Sequence, residues 1–253
     1  MLRSRITPCL LVHKKGLVKT VGFEDPKYVG DPINAVKIFN EKEVDELIVI
    51  DIDATVEGRG PDFNLIKNIA IESRMPLCYG GGITTVEQAK KIISLGVEKI
   101  AISSAAVYNN NLLKDIGIAI GTQSVVVVLD VKKKGIFGNY EIYTHNGKKN
   151  SKYKLKDYLT ILNEIGIGEI VVNSIDEDGK MKGYDFKLFD FVRDLTNMPM
   201  TILGGAGSLE DISNAIRRYK TIGVAAGSLF VFKGKYKAVL INYPDRQTRN
   251  EIY

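Results

Sequence analysis

The stretch ELIVIDIDATVEGRG (46–60) returns in altered form as EIVVNSIDEDGKMKG (169–183). Each copy opens on a glutamate, runs through apolar residues, and ends in carboxylates followed by a glycine-bearing loop. The likeness extends in both directions. PCLLVHKKG (8–16) is echoed by VVLDVKKKG (127–135), GGGI (80–83) by GGAG (204–207), and AISSAAV (101–107) by AAGSLFV (225–231). Leu11 thus pairs with Asp130, Glu46 with Glu169, Asp53 with Asp176 and Ser104 with Ser228, always about 120 residues apart. A fixed period of that length implies two fused half-structures, neither of which could cover its own apolar sheet edge alone.

Along the whole chain, short apolar runs alternate with amphipathic segments. Strands are expected over 5–12, 46–52, 76–79, 98–103, 124–131, 168–174, 200–203 and 222–226. Most are continuously hydrophobic, as parallel strands covered on both faces are. Intervening segments such as TVEQAKKIISLG (85–96) and SLEDISNAIRRY (208–219) space apolar residues helically, with Thr or Ser at the start or Gly at the end. Eight strand–helix units predict a (β/α)8 TIM barrel, with residues 1–253 forming one domain of two half-barrels, about 1–122 and 123–253. A doubly wound open sheet competes, but it uses fewer strands, and no GxGxxG follows the first strand.

The chain is 45% hydrophobic and 26% charged, an ordinary globular balance, and its formal charge is +5. That excess admits anionic small molecules but not the clustered basic face of a nucleic-acid binder. Lys132, Lys133 and Lys134 form a short basic run, read as a solvated loop rather than a nucleic-acid patch. No apolar run reaches the roughly 18 residues of a membrane helix. The N-terminal apolar stretch is too short for a secretory signal, so a cytoplasmic protein is expected. Cys9 and Cys78 both fall in apolar strand runs, as buried thiols of a reducing compartment do. Two histidines and two cysteines argue against a Cys/His zinc site, and neither metal nor cofactor is expected.

In a TIM barrel the site lies at the C-terminal ends of the strands. Small residues gather there twice: Gly80, Gly81 and Gly82 with Ser103 and Ser104, then Gly204, Gly205 and Gly207 with Gly227 and Ser228. Glycines let backbone N–H groups approach an anion, and a helix start adds its positive dipole end. Two such sets across one mouth predict a ligand with a phosphate at each end; glycines that merely turn the chain are the competing reading. Carboxylates end the same strands: Asp51, Asp130, Asp176 and Asp178. Asp130, after VVVVL, should project into the mouth as an acid or base, whereas Asp176 reads better as a loop-ordering residue. Lys19, in the first loop, either pairs with a phosphate or sits solvated.

At the opposite ends, Arg5, Glu46, Lys99 and Glu169 begin four strands. Facing solvent they would be ordinary surface charge; facing inward they would form a neutral ion-pair ring across the barrel floor. Such a ring is costly to bury, which points to a gate. Glu98, beside Lys99 but on the other face by strand alternation, is a candidate contact for a basic residue of a partner.

These residues resemble the cyclase subunit of imidazole glycerol phosphate synthase over nearly the full length. The resemblance rests on RxxPCL from Arg5, GDP (30–32), DELIVIDI, GGGI, EKIAISSAAV, YTHNG, EIVVNSIDEDG with KGYD, and LGGAG. It implies a half-barrel-repeat TIM barrel that works with a glutaminase subunit, whose ammonia enters through the floor and meets a bis-phosphorylated ribulosyl substrate at the mouth. By the same resemblance Arg5, Glu46, Lys99 and Glu169 match the gate. Gly82, Ser103 and Ser104 match one phosphate site, and Asp178, Gly205, Gly227 and Ser228 the other. Lys19 matches the loop lysine, and Asp130 one of two catalytic aspartates. Gly81, Gly204, Asp51 and Asn173 are expected to line the same mouth.

The departure is at Leu11, where the family's second catalytic aspartate stands; a leucine has no proton to exchange. Ser103 stands where the family usually has Asn, and Asn173 where it usually has Thr. The ending FVFKGKYKAVLINYPDR (230–246) also differs. It resembles a branch found with ATP-dependent sugar amidotransferases, which implies delivery of ammonia to an enzyme making acetamidino groups on surface sugars. Three functions stay open: an ammonia-conducting barrel serving such an acceptor, a cyclase relying on Asp130 alone, and a subunit that regulates without moving ammonia. Leu11 disfavours the second, and the intact floor charges disfavour the third.

Overall fold

The computed structural model describes residues 3–135 and 138–253. Eight strands form the barrel: β1 (Arg5–His13), β2 (Leu47–Asp51), β3 (Leu77–Gly80), β4 (Lys99–Ile102), β5 (Val125–Lys134), β6 (Glu169–Ser174), β7 (Met200–Leu203) and β8 (Gly223–Ala226). Each pairs in parallel with the next, and β8 closes on β1 from Arg5↔Gly223 to Pro8↔Ala226. This is the expected TIM barrel.

Strand alternation divides the apolar residues between two cores. Outward residues of β1, such as Ile6, Leu10 and Val12, join the large core beneath the helices. Inward residues Cys9, Ile48, Cys78, Ala101, Val126, Val171 and Ala225 form a separate narrow core, the bore, with Leu11, Ile50, Val128 and Leu203 packed on it. Local capping fixes where the helices begin. Asp31 accepts from the Asn34 amide just ahead of Pro32, and reciprocal capping boxes start the helices after Thr85 and Ser208.

The structure adds elements that the strand reading did not anticipate. Beyond the barrel, β1 and β5 run on into antiparallel hairpins, Gly16–Val21 with Glu24–Gly30 and Asn139–Thr144 with Lys149–Lys154. The two halves fasten these hairpins alike. Asp53 accepts from the Lys14 amide at 2.7 Å, and its repeat partner Asp176 accepts from the Lys133 amide at 2.8 Å. No long helix follows β8 directly; a turn at Ser228–Val231 and a small hairpin precede the last helix, Arg246–Ile252. That ending folds back under the barrel, where the Tyr243 hydroxyl donates to the Ile6 carbonyl at 2.8 Å and Arg249 to the Glu43 carbonyl.

Candidate functional site

The four strand-opening charges face inward and meet. Lys99 Nζ lies 2.7 Å from Glu46 Oε1 and 2.8 Å from Glu169 Oε2. Arg5 closes the other side, 2.6 Å from Glu169 and, through Nε, in a 2.8 Å ionic contact with Glu46 that is not aligned as a hydrogen bond. The Thr201 hydroxyl donates to Glu169 as well. Burial would raise the Glu169 carboxyl, but Arg5 and Lys99 outweigh it and hold the group below its ordinary value. Burial would likewise lower the Lys99 ammonium, and the two glutamates reverse that. One residue pair above Arg5, Thr7 is fully buried, and its hydroxyl has no partner among the described residues. Alternation points it into the bore with Arg5 and Cys9.

At the other end of the bore opens a mouth lined by the first expected glycine–serine set, by the second without Gly207, and by Leu11, Lys19, Asp51, Asp130, Asn173 and Asp178; Gly207 packs instead, since an added Cβ there would lie 2.2 Å from the Met181 carbonyl oxygen. The two sets are geometrically matched. Ser103 and Gly227, each heading a short helical turn, adopt nearly the same backbone angles (φ −113, ψ −86 and φ −100, ψ −75). Part of the glycine pattern is packing. At Gly205 φ is +108, and an added Cβ would lie 2.1 Å from the Gly183 carbonyl oxygen, so this position tolerates no side chain whether or not an anion binds.

Asp130 sits at the centre of the mouth. Asn173 donates to its Oδ1 at 3.0 Å, and Ser103 lies 3.4 Å from Oδ2. Burial pushes the carboxyl up to about 6, against the pull of Asn173 and Ser103 and with some help from Asp178. It can therefore exchange a proton near neutral pH. Leu11, across the mouth, offers no second carboxylate. Lys19 is buried rather than solvated; its ammonium donates to the Cys9 carbonyl and stands beside Gly227. Burial lowers its pKa, opposed by Cys9 and Asp178.

Three expected site residues have other work. Asp51 lines the mouth, but Arg59 grips its carboxylate at 2.8 and 3.0 Å and the Asp53 amide donates to it, so it orders the β2 loop. Asp178 accepts from the Thr20 hydroxyl at 2.8 Å and the Phe23 amide at 3.2 Å, which holds the first hairpin over the mouth. Its carboxylate lines the same mouth as Lys19. Glu98 is exposed, and one of its oxygens accepts from the Leu77 amide at 2.7 Å.

The sequence reading drew no site residue from the second hairpin, yet His145 and Asn146 line the mouth. The His145 amide donates to Ser104 Oγ, and Asn146 reaches across to the Ile52 carbonyl at 2.9 Å. The Asn146–Gly147 dipeptide between two polar–apolar runs was the available clue. His145, Asn146 and Gly147 all have positive φ, as such a turn requires.

A family model described as histidine biosynthesis protein matches residues 5–237. A Vibrio vulnificus protein with the provisional name imidazole glycerol phosphate synthase subunit hisF3 is 54% identical over 96% of this chain and 94% of its own length. A Leptospira interrogans protein provisionally named subunit HisF of the same synthase is 51% identical over the whole of both chains. The Alkaliphilus metalliredigens imidazole glycerol phosphate synthase subunit HisF is 36% identical over 91% of each. With the barrel covered from its first strand past its last, this chain belongs to the histidine biosynthesis protein family.

Proposed function

We propose that this chain is the barrel subunit of a glutaminase-coupled complex, in which ammonia enters through the charged floor and crosses the bore to a mouth that holds a doubly phosphorylated ligand. The bore suits the neutral gas, because an ammonium ion would lose its hydration against Cys9, Ile48, Cys78 and Val171 at a large cost. In this reading the mouth passes ammonia to an acceptor, a sugar amidotransferase making acetamidino groups, instead of cyclising at the family's rate. One observation carries it: the floor ring is complete while Leu11 leaves Asp130 without a partner carboxylate. The relatives agree in kind. Those at 50–54% identity carry provisional names, two of them numbered hisF2 and hisF3, whereas those with the unqualified name stand at 35–38%.

A second reading, the cyclase of histidine biosynthesis running on Asp130 alone, is favoured by those names and by a carboxyl already tuned to about 6. The test is direct. Purified chain given the bis-phosphorylated ribulosyl substrate and ammonium salts should form imidazole product about 100- to 10,000-fold more slowly than a two-aspartate cyclase, the usual cost of one lost acid/base group. Leu11→Asp should recover part of that rate. Turnover at the rate of a two-aspartate cyclase by the unaltered chain would establish the second reading instead.

A further inference from the structure

The formal charge of +5 is not spread over the barrel. Residues 131–154, the end of β5 and its hairpin, contain seven lysines against Glu141 alone, a net of +6 that leaves the other residues at −1. All seven lysines are exposed. The sequence total concealed a cluster.

Register says which of them look at the mouth. Val126, Val128 and Asp130 point inward along β5, so Lys132 and Lys134 continue the same face beyond the barrel. Glu141 lies opposite Lys132, and Lys154 opposite Glu141, which puts both on that face too. The reverse face carries Lys133 and Tyr140, and Tyr140 packs on Phe191 of the helix Phe186–Arg193 outside the barrel. Lys134 is paired with Glu141 at 3.1 Å, whereas Lys132 and Lys154 make no ion pair among the described residues. The hairpin is held over the mouth at its base, by His145 to Ser104 and by Asn146 to Ile52.

The two glycine–serine ends of the mouth differ in their cations. Among the described residues Lys19 is the only lysine or arginine lining the mouth, and it stands at Gly227, beside Ser228. Among the described residues the Gly82 and Ser104 end has no lysine or arginine in its lining; beside it stands the hairpin, joined through His145 to Ser104. We infer that the end of β5 with the strands Asn139–Thr144 and Lys149–Lys154 is an electrostatic lip whose mouth-facing lysines, Lys132 and Lys154 above all, draw a ligand with two phosphates toward the Ser104 end of the mouth. A cleft rimmed by one sign of charge raises association rates of opposite charges by about 10- to 1,000-fold and loses that advantage in salt. This rests on the two-phosphate reading of the mouth.

The probe is D-ribulose 1,5-bisphosphate, a sugar with a phosphate at each end, followed by 31P line shapes at about 20 mM and about 300 mM salt, where the Debye length is roughly 20 Å and roughly 6 Å. Titration gives Kd, exchange broadening gives the dissociation rate, and their ratio gives the association rate. The variant Lys132→Glu with Lys154→Glu should associate about tenfold more slowly at low salt, dissociate at an unchanged rate, and match the unaltered chain at high salt. The control Lys90→Glu with Lys91→Glu makes the same charge change on the exposed face of the helix Val86–Ser94 and should leave association within about twofold. An unchanged association rate in the lip variant, or an equal loss in the control, would overturn the lip while leaving the two-phosphate mouth standing. No binding by the unaltered chain would overturn both.

Discussion

Replacing Lys99 by Met is the sharpest probe of the barrel floor. The ammonium lies within 2.8 Å of both Glu46 and Glu169, whose side chains are only 6% exposed. Without it, Arg5 alone faces two buried carboxylates. Breaking a buried ion pair by removing one partner costs about 3–5 kcal/mol. Because the Lys99 side chain keeps 21% of its exposure, screening lowers the expectation to about 2–3 kcal/mol. In a protein of this size that is a melting temperature lower by about 4–12 °C. The pH dependence is distinctive. In the unaltered chain Glu169 is held below its ordinary value, so its contribution is present above that value and is lost as pH falls through the depressed one. With Lys99 gone, burial dominates and raises the carboxyl, so acid relieves the defect. Urea denaturation followed by circular dichroism at pH 7 and pH 5 should show a deficit that shrinks at the lower pH. A deficit below about 0.5 kcal/mol, the range of ordinary surface changes, or one that ignores pH, would refute the buried ring.

Other expectations follow from the same contacts. The Asp130 carboxyl is raised to about 6, above its unfolded value, so its ionisation costs stability as pH climbs from about 4 to 6; Asp130→Asn should flatten that slope in urea titrations, and a slope that persists would contradict it. Thr7→Val removes an unpartnered buried hydroxyl and should stabilise the chain by about 1 kcal/mol. A loss of stability there would mean that the hydroxyl has a structural partner. Crystals grown in sulfate should hold an anion at Gly82 and Ser104 and another at Gly205 and Ser228, where backbone amides gather; water alone in both pockets would count against the two-phosphate mouth.

The barrel was legible because β2, β5 and β6 each carry an apolar run and because each half repeats the other, down to the glutamates at 46 and 169. The floor was legible only in part: four charges of balanced sign opening four strands suggested a ring, but a strand start can equally face solvent, and the contacts among Arg5, Glu46, Lys99 and Glu169 decide it. The hairpins were not. β1 turns into the first through Lys14 and Lys15, both at positive φ, and neither residue announces a turn as Asn-Gly does. Asp51 and Asp178 looked like ligand carboxylates because their partners, Arg59, Thr20 and Phe23, arrive from loops whose paths the sequence does not reveal. The lysine lip was hidden in a modest net charge, since only the register of β5 shows which lysines share a face with Asp130.

The central claim is that the floor admits ammonia from a glutaminase. With glutaminase, this chain and the acceptor reaction reconstituted below the melting temperature of every variant, product formation is measured with glutamine and, separately, with ammonium salts. Lys99→Ala and Arg5→Ala should each lower the glutamine-dependent rate by about tenfold or more, on the order of 1.4 kcal/mol, and leave the ammonium-dependent rate unchanged. If both routes keep the rates of the unaltered chain, the four charges are structural and the channel account is wrong.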